Sequence, residues 1–376
     1  MRIAILNLWS ISENAIGGTE RFVDDFSMSL AKHGHTVDVY MFSGTSFQKG
    51  NVNFISLDLF GKGVIADEYM IQEKFGDFNT IESYDKVASL LKEKIDASIY
   101  DFIHLNSHFF LKCFSNKKRI LTMHSNYQEF MVLGTEDAYQ LMIDILKEEI
   151  NHGLKVVCPS LYYGKEWSKI LGSPVYTIYH AINQDRLKCN ISKEELIKKY
   201  GLSSTKIKIL LPSRLEPIQK RPKLVLEALK DLKIEERTKY QVIFTGIDTQ
   251  YEPYVKELDT FSKEYNIDSK FIMFDHISEG YQLCDIVCVP SKSESFGYSA
   301  IEGISLGIPT ILSSIPTYLE LKGDNSNVYI FQSISDFRDI LEELSHVEII
   351  ERGVVSSVWL DQFDLDEFGD KYVELL

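Results

Sequence analysis

Two glutamates eight residues apart, Glu294 and Glu302, bracket the segment Ser295-Phe296-Gly297-Tyr298-Ser299-Ala300-Ile301. They follow the apolar run Ile286 to Val289 and Pro290, which reads as a buried strand ending at a turn. Ser299 onward, with Ala300, Ile301, Ile304 and Leu306, reads as the next helix, so Glu294 is expected in the loop and Glu302 in the first helical turn. A carboxylate can take two hydrogen bonds from a vicinal diol. A helix N-terminus offers unpaired N–H groups and the positive end of its dipole to an anion. Together they fit a sugar carrying a phosphate. The plainer alternative is a surface glutamate beside one that merely complements the dipole.

A phosphate ligand needs cations, and the chain is acidic overall, with a formal net charge of −15. Arg214 and Lys220 supply a local positive spot in the Pro-containing loop after the strand Ile207 to Leu211. Two charge-assisted hydrogen bonds of about 1.5–3 kcal/mol each could clamp a diphosphate there. A solvated basic loop is the alternative. Arg221 precedes a proline suited to opening a helix and is expected to point outward. Gly17-Gly18 opens the first helix, where the missing side chains permit close approach of a ligand or simply a turn capped by Thr19. His124 ends the strand Arg119 to Met123, beside Ser125 and Asn126, placed to bond a sugar hydroxyl or move a proton. His104 reads as a satisfied core histidine, and His104 with His108 lacks a third metal ligand. No metal site is expected.

These residues need a scaffold that brings strand ends together. Arg2 to Leu8, Thr36 to Phe42, Phe102 to Leu105, Arg119 to Met123, Leu154 to Cys158 and Val175 to Tyr179 read as strands, with helices such as Gly18 to His33 and Ala138 to Ile150 among them. The pattern restarts after a polar, lysine-rich interval with Ile207 to Leu211, Gln241 to Phe244, Lys270 to Phe274, Asp285 to Val289 and Thr310 to Leu312. Continuous apolar strands alternating with helices mean parallel sheet. The expected fold class is α/β, with two doubly wound Rossmann-like domains facing a cleft: residues 1–182, a linker at 183–206, and 207–361. Ligands of such sheets lie beyond the carboxyl ends of the strands. Leu57 to Thr80 shows no clear period and reads as a long functional loop or a short extra element.

Composition narrows the function further. Apolar residues make up 44% and charged residues 25%, as in ordinary soluble proteins. No apolar run approaches the roughly 18 residues of a membrane helix, and no secretory leader is evident, so a cytoplasmic location is expected. Five irregularly spaced cysteines suit reduced thiols. The acidity argues against a nucleic-acid partner. An aromatic and basic set (Phe109, Phe110, Phe114, Lys112, Lys117, Lys118, Arg119) could touch an anionic membrane carrying a lipid-linked acceptor, or be a helix packed by its aromatics. Gly61 to Ala66 matches a dinucleotide fingerprint away from the first strand–helix turn. Asp364-Leu365-Asp366 imitates a metal-binding acid pair but is better explained as a helix cap. Cys284 and Cys288 lack partners for zinc.

Taken in order, the motifs resemble glycosyltransferase family 4, retaining enzymes of the two-domain GT-B fold. Gly17-Gly18-Thr19-Glu20-Arg21 is similar to the family's Gly-Gly-x-Glu-Arg, Leu121 to His124 to its Thr-x-His strand end, Arg214-Leu215 with Lys220 to its Gly-Arg-Leu…Lys, and Glu294 to Glu302 to its Glu-x7-Glu. His180-Ala181 stands where the family has Asn-Gly at the start of the linker, Ser213 replaces a glycine, and Cys284 an alanine. The resemblance implies a nucleotide-diphosphate-sugar donor, no other cofactor, and a glycan, protein or lipid-linked acceptor. It implies that Arg214 and Lys220 hold the diphosphate, helped by backbone amides of Ser295, Phe296, Gly297 and Tyr298 and of Gly17 and Gly18. Glu302 would hold the ribose, Glu294 would touch the transferred sugar, and His124 would approach it from the other domain. A last helix near 362–376 would return to the first domain. A noncatalytic nucleotide-sugar or glycan-binding module on the same fold, or a dinucleotide oxidoreductase using Gly61 to Ala66, are the alternatives. The sequence specifies no oligomer.

Overall fold

The computed structural model describes residues 1–11, 17–76, 78–125, 136–247 and 251–376. The chain divides into two compact units, Met1–Ala181 with Gln362–Leu376, and Ile182–Asp361.

In the first unit the strands are β1 (Arg2–Asn7), β2 (Thr36–Met41), β3 (Phe47–Lys49), β4 (Val52–Ser56), β5 (Phe102–Leu105), β6 (Arg119–Thr122), β7 (Lys155–Cys158) and β8 (Tyr176–Thr177). They form a sheet of order β3-β4-β2-β1-β5-β6-β7-β8. Only the β3–β4 hairpin is antiparallel among the described residues; the other pairs are parallel, with Ile5 level with Val39 and His104. β1 is buried on both faces, as its apolar run demands. Ile3 and Ile5 enter one layer with Phe22, Phe26 and Leu30 of the helix Gly18–Lys32, while Ala4 and Leu6 enter the other with Leu146 and Trp167. Burying each such aliphatic side chain contributes roughly 1.5–3 kcal/mol. The short helix Phe368–Val373 completes the first layer, with Phe368 and Tyr372 fully buried. Tyr372 Oη lies 3.0 Å from Thr122 Oγ1, and the Gly369 amide donates to Ser29 Oγ at 2.8 Å. A Cβ on Gly369 would sit 2.9 Å from the Leu30 nitrogen, so only glycine allows this approach.

The second unit holds β9 (Ile207–Leu211), β10 (Tyr240–Phe244), β11 (Asp268–Phe271), β12 (Ile286–Val289), β13 (Thr310–Ser313) and β14 (Val328–Phe331) in the all-parallel order β11-β10-β9-β12-β13-β14. Strand order reverses between β9 and β12 here, and between β1 and β5 in the first sheet. At such switch points the loops diverge to opposite faces and leave a crevice at the strand carboxyl ends.

Several elements differ from the sequence reading. The interval 183–206, read as a linker, carries the helices Gln184–Leu187 and Lys193–Lys199 and belongs to the second unit. Its lysines are a solvated face and ion pairs: Lys199 binds Glu279 at 2.9 Å and Asp275 at 2.8 Å, while Leu196 turns inward. Val175 to Tyr179 contracts to the two residues of β8. Within Leu57 to Thr80 there is a helix, Glu68–Phe75, capped by Asp67 Oδ1 accepting from the Met70 amide at 2.8 Å. Only Ile71 and Phe75 of it are buried, too few to show a period. Gly61 and Gly63 sit in turns at φ 108° and 74°, with no helix directly after them, which removes the dinucleotide-fingerprint reading.

Candidate active site

In the second unit, the loops after β9 and β12 are tied together at the switch point. The Lys292 amide donates to the Gln219 carbonyl at 2.7 Å, and Gln219 Nε2 to the Ser293 carbonyl at 3.3 Å. Glu216 folds the 216–220 turn on itself, accepting from the amides of Ile218 at 2.8 Å and Lys220 at 3.1 Å, and from that of Gln219. Arg221, expected to point outward, does the reverse. At φ 50°, it turns its guanidinium onto the carbonyls of Pro290 and Ser291, both at 3.0 Å. Those carbonyls follow β12 directly, and pairing them with the guanidinium outweighs exposure of the charge.

This bracing aims Lys220 at Glu294. Lys220 Nζ stands 2.6 Å from Glu294 Oε1, and Ser291 Oγ donates to the same oxygen at 2.7 Å. Thr317 Oγ1 holds the Glu294 carbonyl at 2.7 Å. The two side chains keep 15% and 12% of their exposure, so the pair is reachable from solvent yet poorly screened. Arg214 is exposed, and its side chain makes no hydrogen bond or ion pair among the described residues. Its loop packs on Gly246, where a Cβ would lie 2.4 Å from the Ser213 oxygen.

The helix opens at Tyr298, not Ser299, and runs Tyr298–Ser305. Gly297 precedes it at φ 86°, a conformation that favours glycine. A Cβ there would meet Tyr318 Cε1 at 2.6 Å. The first bonds of the helix run from the Ala300 and Ile301 amides to the Gly297 carbonyl, so the amides of Tyr298 and Ser299 precede the intrahelical ladder. Ser299 Oγ fastens the helix start to the Pro212 carbonyl at 2.5 Å. Glu302 is the fifth helical residue rather than part of the first turn, and it is buried. Tyr281 Oη donates to Glu302 Oε2 at 2.7 Å, a partner the sequence did not reveal because it lies on another helix, Ile277–Leu283.

The first unit has its own site at the β1/β5 switch point. His124 Nε2 lies 2.6 Å from Asn106 Oδ1, Asn106 Nδ2 donates to Asn7 Oδ1 at 2.7 Å, and Asn7 Nδ2 donates to the Trp9 carbonyl at 2.6 Å. The last carbonyl can only accept, so the chain has one direction and assigns the proton of neutral His124 to Nε2, leaving the lone pair on Nδ1. Burial holds His124 neutral, pushing its pKa down to about 3. Asn7 is a residue the sequence reading passed over; its signal is a polar side chain ending an apolar strand. His104 is a core histidine, with Nε2 2.9 Å from Thr122 Oγ1. Gly17 and Gly18 lie at the start of the first helix, where the Glu20 carboxylate occupies the space beside Gly17. Asn126 falls outside the described residues.

The remaining sequence candidates have structural roles. Arg119 is wholly buried, with NH2 2.5 Å from Glu149 Oε2 and NH1 on the carbonyls of Leu111 and Cys113. Phe110 is buried too, in a single 3-10 turn, so the aromatic–basic set is not one packed helix and these two members do not face outward. Asp366 pairs with Lys32 at 2.5 Å while its amide donates to Asp364. Cys284 and Cys288 are buried thiols, and burial pushes the former up to about 12. Among the described residues no group of three His, Cys, Asp or Glu could hold a metal ion, and no helix is long and apolar enough to cross a membrane.

Residues 16–186 match the family model described as Glycosyltransferase Family 4, and residues 192–351 match Glycosyl transferases group 1. An uncharacterized glycosyltransferase of Methanocaldococcus jannaschii, MJ1607, is 23% identical over 89% of this chain and 86% of its own length. The Anabaena protein HepE, solved with UDP and glucose, superposes with a TM-score of 0.71 at 16% identity over 100% of this chain and 98% of its own. An α,α-trehalose-phosphate synthase from Burkholderia xenovorans, solved with glucose-6-phosphate, gives 0.71 at 13% identity over 100% and 99%. At these identities the two structures attest the fold, which is GT-B. The chain belongs to glycosyltransferase family 4 and is an enzyme of the glycosyltransferase type.

Proposed function

We propose that the protein transfers a sugar, with retention of anomeric configuration, from a nucleotide-diphosphate-sugar donor held by the second unit to a hydroxyl acceptor received by the first. The observation that carries this reading is the switch-point cluster of the second unit. There the unpaired Arg214 guanidinium, Lys220, and the helix start after left-handed Gly297 share one end of the sheet with Glu294 and Glu302. The leaving group of such a reaction is a diphosphate, and stabilising its developing charge is the main catalytic need. Arg214, Lys220 and the amides of Tyr298 and Ser299 supply positive potential without a metal ion. Glu302, held by Tyr281, takes the ribose hydroxyls, and Glu294 takes a hydroxyl of the transferred sugar. Ser295 and Phe296 contribute backbone contacts to the donor.

Retention follows from attack on the face the leaving group departs from. The acceptor oxygen bonds to the anomeric carbon, the bond to the diphosphate breaks, and the acceptor proton passes to the departing phosphate oxygen. The HepE complex with UDP-glucose supports a nucleotide-sugar donor for this fold. The test is release of nucleoside diphosphate from a panel of nucleotide sugars in EDTA, with the product anomer read by NMR. Turnover with the donor configuration kept is expected. An inverted product refutes retention, loss of turnover in EDTA refutes metal independence, and donor binding without transfer or hydrolysis would leave a binding module.

A further inference from the structure

The first unit has an open pocket of about 400 Å³ at the His124–Asn106–Asn7 chain. Its size is that of small-molecule sites. The walls are apolar and aromatic: Trp9, Phe78, Phe109, Met123, Tyr139 and Met142 all line it. Phe78 and Phe109 pack ring against ring, with centroids 4.0 Å apart. The floor is polar, made by the amides of Asn7 and Asn106, by His124 and by Thr19.

What the lining lacks is positive charge. No lysine or arginine lines the cavity among the described residues, and Glu68 is the one carboxylate there. The segments 12–16 and 126–135, contiguous in sequence with the lining, contain no lysine or arginine either. Burial keeps His108 and His124 neutral, pushing their pKa values down to about 4 and about 3. An anionic ligand would therefore leave its hydration shell for hydroxyls, amides and the start of the helix Gly18–Lys32, with no side-chain cation to pair with its charge.

We infer that the acceptor is an uncharged hydroxyl compound with a flat or apolar group, seated against the Phe78–Phe109 wall with its hydroxyls on the His124–Asn106–Asn7 floor, and not a phosphorylated sugar. The term acceptor rests on the transferase reading; the binding preference does not.

The test is calorimetric titration of the whole chain, without donor, against 4-nitrophenyl glucoside, galactoside and mannoside and against the corresponding hexose 6-phosphates. At least one glycoside is expected to bind roughly 100-fold more tightly than its 6-phosphate counterpart, the discrimination of a site that leaves a charge unpaired. Phe109→Ala should weaken that glycoside at least tenfold. Gln72→Lys, at an exposed position of the lining, should strengthen the 6-phosphate about tenfold while the glycoside changes little. Equal or tighter binding of the 6-phosphates, no binding of any glycoside, or indifference to Phe109→Ala would each overturn the inference. Glycoside binding without sugar transfer would leave it standing and sink the transferase reading instead.

Discussion

Replacing Lys220 by alanine separates what the Lys220–Glu294 pair does for the fold from what Lys220 does for a diphosphate. The pair is short, 2.6 Å, and its side chains keep only 15% and 12% of their exposure. Breaking a fully buried pair costs about 3–5 kcal/mol because one charge is stranded. Here residual solvent contact and the Ser291 hydroxyl on Glu294 reduce that, and we expect about 2–3 kcal/mol. The second loss is catalytic. Removing one preorganised donor to a developing anion lowers turnover about 10²–10³-fold. Lys220→Ala combined with Glu294→Gln should then recover most of the stability, since no charge remains stranded, but none of the turnover. Urea unfolding gives the first quantity and nucleoside diphosphate release at saturating donor the second. Unchanged turnover in Lys220→Ala, or recovery of turnover together with stability in the double variant, would refute the assignment.

Gly297→Ala should lower stability by about 2 kcal/mol or more, from the left-handed backbone and the 2.6 Å approach to Tyr318, and weaken donor binding in calorimetry; tight binding would remove the helix start from the site. Tyr281→Phe, by removing one hydrogen bond that orients Glu302, should raise the donor Kd about tenfold with little change in kcat, and the opposite split would count against a ribose role. Asn106→Leu removes the acceptor that sets the His124 tautomer and should lower kcat/KM about tenfold or more with a changed pH profile, whereas a parallel profile would mean a packing role only. His104 and His180 are held neutral by burial, with pKa values well below the ordinary 6.5, so the unfolded chain binds more protons than the folded one below that pH. Their contribution is intact above pH 6.5 and should fall by about 1 kcal/mol for each histidine between pH 6.5 and 5.5. Urea midpoints independent of pH across that window would contradict it.

The central parallel strands were legible because they are short apolar runs buried on both faces, as in Ile3–Leu6 and Ile286–Val289. The functional loops were legible because chemistry-bearing residues follow those runs immediately. Elements with half-buried or mixed patterns escaped. β14 is only partly buried, and the β3–β4 hairpin alternates weakly about its Gly50-Asn51 turn. Arg221 was misread because proline at the next position speaks to local geometry, while its direction is set by carbonyls 69 and 70 residues away. Tyr281 and the Asn7–Asn106 contact were invisible for the same reason: their partners are distant in sequence, and periodicity records only the element a residue sits on.

The helix Phe368–Val373 carries a consequence for how the molecule is made. Tyr372 reaches Thr122 across 250 residues of chain and, with Phe368, packs on Phe26 beneath His104. The helix Gly18–Lys32 is therefore made long before the segment that covers it, and until that segment arrives Phe22 and Phe26 lack part of their cover. Deleting residues 362–376 should expose that face, and hydrogen exchange should quicken first in Gly18–Lys32, the helix whose opening residues border the histidine site.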